Sequence, residues 1–306
     1  MIDLRFYNSR QPLDVSEIEQ LTGLEVSGAF DKDLKISHVA APGHGELSGA
    51  AIFVTKPDIL ESLTGSAPAL CCVSPKVAAK IDLANRLPGT AILVCDNPKA
   101  IFAILAGELH QSLAEELRVP ARDEPEIDDS AILHETAVIG ANVKIGAGVR
   151  IGAYSVIGPG VEIGDETFVS AHVSLTHSLV GRRCFILAGA RIGEAGFGFV
   201  QHNGEQRRVP QLGRVVLGDE VEIGSNTTVD RGMLADTVIG TQSKIDNLVQ
   251  VAHNVRIGER CAIASQTGIS GSTVIGDDVM IGGQAGIADH LSVGDRAIVI
   301  ARAALL

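Results

Sequence analysis

Tryptophan is missing from the 306-residue sequence, and aromatic residues make up only 3% of it. A core without large rings is filled by Ile, Val, Leu and Ala, which suits a narrow, regular interior. No run approaches the 18 apolar residues of a membrane-spanning helix. The N-terminus, MIDLRFYNSRQPLDV, lacks the apolar stretch of a signal peptide. Positive charge is scarce: 25 Lys and Arg stand against 37 Asp and Glu, for a formal net charge of −12. That argues against general attraction to nucleic acid or to an anionic membrane. There is no CxxC pair among the five cysteines, and adjacent Cys71 and Cys72 do not easily bridge each other. Free thiols in a reducing compartment, the cytoplasm, are expected. What is abundant is hydrophobic residues, at 45%, and glycine, at 34 residues, the mark of a globular chain with many tight corners.

Residues 1–118 read as an α/β domain. Asp14 and Glu17 form a capping pair for a short helix that ends at Gly23. AIFVT, ALCCV and AILVC are apolar runs bounded by turn residues and read as buried strands. Asn97-Pro98 starts a helix whose apolar face is Ile101, Leu105, Leu109, Leu113 and Leu117. A charged, proline-bearing stretch, residues 119–126, reads as a linker.

From Ile127 to residue 306 an apolar residue recurs every sixth position, often with Gly following it. The register slips by one residue before Val180, and from Ile239 to Val299 eleven hexads run without interruption. This period predicts a parallel β-helix in which three hexads close one triangular coil of 18 residues. Strand spacing of about 4.8 Å between coils gives about nine coils and a prism roughly 40 Å long. The pattern resembles the left-handed β-helix. That architecture hosts acyltransferases, zinc enzymes and structural proteins, so it does not choose a function. Two interruptions break the repeat: an inserted loop, 194–213, carrying Phe197, Phe199, Arg207 and Arg208, and about four extra residues near Asp230 to Asp236. Exposed aromatics on a long loop point to a functional role.

The stretch IDNLVQVAHN, residues 245–254, gathers polar residues that the repeat does not require. His253 follows inward-facing Val251 by two positions and so points outward, as a candidate general base, with Asp246 a candidate carboxylate helper and Gln250 nearby. Gly271 follows by one coil, so its peptide N–H is a candidate oxyanion donor. His290 lies two coils and one residue on and is a candidate for the same groove. Together they suit acyl transfer from a thioester. A separate pair, His172 and His177, with His134 upstream, leaves open a zinc site of the γ-class carbonic anhydrase kind.

GEAGFGF at 193–199, VPQLGRVVLGDEVEIG at 209–224, TTVDRG at 227–232 and IDNLVQVAHNVRIG at 245–258 strongly resemble the UDP-3-O-acylglucosamine N-acyltransferases of lipid A synthesis. The resemblance covers most of residues 1–300. It implies transfer of a 3-hydroxyacyl chain from acyl carrier protein to the 2-amino group of a UDP-linked, O-acylated glucosamine, by a homotrimer and with no cofactor. It assigns His253 as the base, Asp246 as its support, Gly271 as the oxyanion donor and His290 as a second groove histidine. Phe197, Gly198, Phe199, Asn247 and Gln250 become substrate-contacting candidates. In the N-terminal domain, implied to bind uridine, Phe53 and Pro57 match the expected pattern, whereas Lys56 replaces an amide and Ile59 an aromatic ring. The sequence ends at Leu306, where family members continue into C-terminal helices. Other readings are an acyl- or acetyltransferase with a CoA donor on another nucleotide sugar, the zinc enzyme, and a scaffold without catalysis.

Overall fold

The computed structural model describes residues 2–43, 46–61, 63, 66–80, 82–115 and 124–306. It divides into two compact units: Met1–Ser112 with Gly198–Pro210, and Leu113–Phe197 with Gln211–Leu306.

The first unit is α/β. Five strands lie in the spatial order Val26–Ser27, Ala91–Val94, Leu70–Val73, Ala50–Val54, His38–Val39. The last four are parallel, and the Val26–Ser27 edge is antiparallel. All three apolar runs are strands, and most of their side chains are buried, as expected where a parallel sheet is covered. Asp14 caps its helix reciprocally: its Oδ1 accepts from Glu17 N at 2.9 Å, and Glu17 Oε2 accepts from Asp14 N at 2.8 Å. Gly23 closes that helix at φ 68°, a left-handed conformation glycine adopts without strain.

The helix capped by Asn97 stops at Leu109, two turns before the apolar spacing suggests. His110–Ser112 instead pairs antiparallel with Tyr7–Ser9, so tertiary pairing overrides the helical period. Leu113 falls in a short 3-10 turn. Leu117 and residues 119–123 of the expected linker lie outside the described residues, and Glu126 is already in the first solenoid strand. The helix is buried on several sides, Ala100, Phe102 and Ala103 included, because more than the sheet packs on it. A hairpin of Phe199–His202 and Glu205–Arg208 is part of this same unit, and Asn97 Nδ2 donates to Gln201 O at 3.0 Å. The sequence reading placed this hairpin in the solenoid.

The second unit is a parallel β-helix of three nine-stranded sheets. Neighbouring coils pair at 18 residues, as in Ile245 with Ile263 and Val251 with Ile269. The expected slip is real: Leu175 pairs with Ile192, 17 residues on. The four extra residues are real too, since Val229 pairs with Val251. The inward column of Ile223, Ile245, Ile263 and Ile281 is essentially sealed from solvent.

Where glycine follows an inward residue, it is there for proximity. A Cβ at Gly240 would sit 2.5 Å from the carbonyl carbon of Gly258 in the next coil. The left-handed bend comes two residues later, at polar side chains such as Asn254 (φ 61°), Arg260 (φ 55°) and His290 (φ 58°). Buried Ser and Thr hydroxyls join the coils, as Ser243 Oγ does to Gly258 O at 2.8 Å, so these polar groups are not orphaned.

Because Ile245 is 1% exposed, Ile245→Asp places a carboxylate among hydrocarbon, while Ile245→Val only trims a methylene. The expected outcome is loss of cooperative thermal unfolding by circular dichroism for Asp, and a loss of about 1 kcal/mol for Val.

Candidate active site

His253 follows the strand Gln250–Val251 at one corner of its coil and is half-buried. Two glycines bracket its ring. A Cβ on Gly271, one coil on, would lie 2.7 Å from Cε1 and 2.8 Å from Nε2. A Cβ on Gly196 would lie 2.6 Å from the Cβ of His253 and 3.0 Å from its Cδ2. Either side chain would displace the imidazole, so both positions are glycine for a steric reason. Gly196 was not singled out from the sequence. It sits between Glu194 and Phe197 in a Gly-rich stretch, and only the fold says which glycine meets the histidine.

Gly271 O accepts from His290 N at 3.1 Å. Its own N–H donates to no group among the described residues. A peptide donor beside an imidazole nitrogen is the arrangement that stabilises an oxyanion while a proton is removed.

Within one chain Asp246 does not reach His253. Asp246 follows the strand Lys244–Ile245 and so occupies a different corner of the coil from His253. Its carboxylate accepts from Asn247 N at 2.7 Å and Ser265 N at 3.1 Å, capping a turn. Closeness in sequence misled because six residues carry the chain along one face of the triangle. The group that does meet His253 is its neighbour: Asn254 Oδ1 lies 3.2 Å from Nδ1.

Gln250 Nε2 donates to Asp230 Oδ2 at 2.9 Å, and Gln250 Oε1 accepts from Thr228 Oγ1. Asn247 Oδ1 caps a turn by accepting from Ser225 N at 2.7 Å. His290 is an exposed corner residue in the column of Asn254 and Ser272. Phe197 is 85% exposed. In the first unit, Gly198 accepts from Val209 N, and Phe199 lies under the Arg208 guanidinium at 5.3 Å. There too, Phe53 is half-buried with its ring 4.8 Å from that of Phe102, while Lys56 and Pro57 are exposed.

The three histidines of the zinc reading do not converge. His172 is exposed and stacks on Tyr154 at 5.2 Å, and His134 is exposed beside Thr136. His177 is buried, and burial together with the Arg231 guanidinium pushes it down to about 2. A neutral, enclosed ring there is part of the core. Among the described residues no three His, Cys, Asp or Glu gather as a metal site.

Residues 122–236 match the GMPPB C-terminal domain family, 236–271 the bacterial transferase hexapeptide (six repeats) and 272–301 the hexapeptide repeat of succinyl-transferase. A UDP-3-O-acylglucosamine N-acyltransferase of Caulobacter sp. (strain K31) is 42% identical over 268 residues, covering 88% of this chain and 77% of that protein. The chain belongs to the UDP-3-O-acylglucosamine N-acyltransferase family. It is an acyltransferase, and its solenoid is a left-handed parallel β-helix. A relative of the same name from Methylobacterium sp. (strain 4-46) is 38% identical over 278 residues, covering 88% of this chain and 77% of that protein. Another, from Azorhizobium caulinodans, is 61% identical over 98 residues, 32% of this chain and 28% of that protein. No helix among the described residues is long and apolar enough to cross a membrane.

Asp230 gives this acyltransferase a pH-sensitive feature. Burial, and then the nearby Glu194 carboxylate, push its carboxyl up to about 6, against the opposing pull of Gln250 and Arg231. A carboxyl raised in the folded state stabilises the fold fully below its unfolded value near 3.8 and loses that contribution as pH rises through about 6. Asp230→Asn removes the titration. In denaturant melts the variant is expected to match the parent at pH 4 and to have the higher midpoint at pH 7.

Proposed function

We propose that this acyltransferase moves a 3-hydroxyacyl chain from the thioester of acyl carrier protein to the 2-amino group of a UDP-3-O-acylglucosamine, in lipid A biosynthesis in the cytoplasm. The observation that carries the reading is the imidazole of His253 set between Gly196 and Gly271, the N–H of Gly271 donating to no group among the described residues.

The amine nitrogen attacks the thioester carbonyl carbon and forms the C–N bond. Nε2 of His253 takes the proton that this nitrogen must lose. The carbonyl oxygen becomes an oxyanion, and Gly271 N–H donates to it. Collapse of the tetrahedral intermediate breaks the C–S bond. The sulfur leaves and receives the proton from His253, which regenerates the neutral base. Atoms and electrons balance with no cofactor.

In the first unit Phe53, with Lys56 and Pro57 beside it, takes the uracil ring in this reading, and Gly198 and Phe199 are substrate-contacting candidates; in the second unit the substrate-contacting candidates are Phe197, Asn247 and Gln250. His290 serves as a second histidine in the groove. The working form in this reading is a homotrimer, the assembly that the resemblance implies and that closed threefold symmetry allows. Asp246 is left in a turn-capping role.

The test is an acyl-transfer assay with a panel of UDP-amino sugars and both carrier-protein and CoA thioesters. The UDP-3-O-acylglucosamine and carrier-protein pair is expected to give the highest kcat/KM, and His253→Ala is expected to lower kcat by about 10² to 10⁴. Transfer from CoA thioesters alone would refute the donor, and near-parental turnover in His253→Ala would refute the base.

A further inference from the structure

The reaction above needs His253 to present a bare Nε2, and a single contact indicates how the chain ensures it. Asn254 Oδ1 lies 3.2 Å from Nδ1 of His253. Which end of an asparagine amide is oxygen is decided by its partners, because only those distinguish donor from acceptor. Here both partners are backbone groups with one possible role each. One end receives the N–H of Met233 at 3.0 Å, and the other faces the carbonyl of Ala235 at 2.8 Å. The end toward Met233, which is also the end toward the imidazole, is therefore the oxygen. An amide oxygen only accepts, so Nδ1 carries the proton and Nε2 carries the lone pair. Nε2 is the nearer of the two nitrogens to Gly271: a Cβ there would lie 2.8 Å from Nε2 and 3.2 Å from Nδ1.

The amide is itself held from several directions. Asn254 N donates to Thr237 Oγ1 at 2.8 Å, and its φ of 61° lies in the left-handed region that asparagine tolerates. Met233 and Ala235 belong to the four-residue interruption of the repeat, which gives that insertion a purpose. It brings two backbone groups to the asparagine that a regular coil would not supply there.

We propose that Asn254 is a positioning residue that fixes the Nδ1–H tautomer of His253, and that the 233–235 insertion exists to hold its amide in the required orientation. The proposal rests on His253 acting as the base. Charged and titratable groups on the surrounding elements are Glu194, Asp230 and Arg231 on the paired strands, the Arg214–Asp236 pair, and Asp289 and His290 on the following coil. Because their charges also bear on the ring, the decisive readout is the tautomer itself, not a pH profile alone.

The experiment is ¹⁵N NMR of the ring nitrogens in the full chain with labelled histidine, the His253 signals being assigned by their loss in His253→Ala. The parent is expected to show a protonated Nδ1 and a bare Nε2 near neutral pH. Asn254→Leu keeps the size and removes the acceptor, and this chain already accommodates a leucine at such a corner, Leu248 at φ 58°. That variant is expected to shift toward the Nε2–H form and to lose about 10²-fold in kcat. Asn254→Asp restores an acceptor, so it is expected to return the Nδ1–H form. Its added negative charge favours the imidazolium, which moves the acidic limb of kcat/KM to higher pH. A neutral parent ring with a bare Nδ1 and a protonated Nε2, or a folded Leu variant that keeps the neutral Nδ1–H form, would overturn the proposal. If Leu fails to fold, the Asp variant decides alone: a bare Nδ1 with a protonated Nε2 there refutes it, whereas the imidazolium, protonated at both nitrogens, does not. The spectra need no substrate. A correct tautomer with undiminished turnover in His253→Ala would therefore mark failure of the proposed reaction and leave the assignment of Asn254 intact.

Discussion

The stacking of coils at an 18-residue register governs everything else in the second unit. Backbone hydrogen bonds between coils, about 4.8 Å apart, lock residue n against residue n + 18 wherever the repeat is uninterrupted. The inward aliphatic columns and the hydroxyl bridges of Ser243 and its equivalents exist to satisfy that register. Once it is set, positions with no sequence proximity become fixed neighbours. Gly271 meets the ring of His253 for this reason alone, and so does His290 donate to Gly271 O.

The same constraint explains why the repeat is broken only in particular places. A solenoid cannot bend to build a site, so the site is made by interruptions. The excursion after Gly193 brings Gly196 against His253 before the chain leaves for the hairpin of the first unit. The Asp230 to Asp236 interruption brings Met233 N and Ala235 O to the amide of Asn254. Arg231, buried, ties the ends of the excursion by donating to Gly193 O and Gln211 O, both at 2.8 Å. Regular coils thus supply the base and the peptide donor, and the irregular segments supply orientation.

Much of this architecture is legible in the residues. A six-residue period reports its own coil, because inward positions must be apolar and the glycine beside them must be small. The pairing of His253 with Gly271 follows from arithmetic on that period. The contact to the ring within one chain did not follow, because proximity along the chain is a poor guide on a triangle: Asp246 is seven residues away and at another corner, whereas Asn254 is adjacent and turned onto the ring by groups from an insertion. Nor did Gly196, since its partner depends on the path of a loop with no period. In the first unit the helix after Asn97 carries an apolar spacing past its true end, where pairing of His110–Ser112 with Tyr7–Ser9 won instead.

The central claim is that contact between one coil and the next sets the imidazole beside an open peptide N–H. Its most direct test is the turnover of Gly271→Ala beside that of Gly294→Ala. A methyl at 271 would lie 2.7 Å from Cε1 of His253, whereas one at 294 meets nothing within 4 Å. The expected result is a loss of about 10²-fold in kcat for Gly271→Ala, the cost of misplacing a catalytic group by about 1 Å, with the melting temperature kept and Gly294→Ala near parental. Parental turnover in Gly271→Ala would contradict the account.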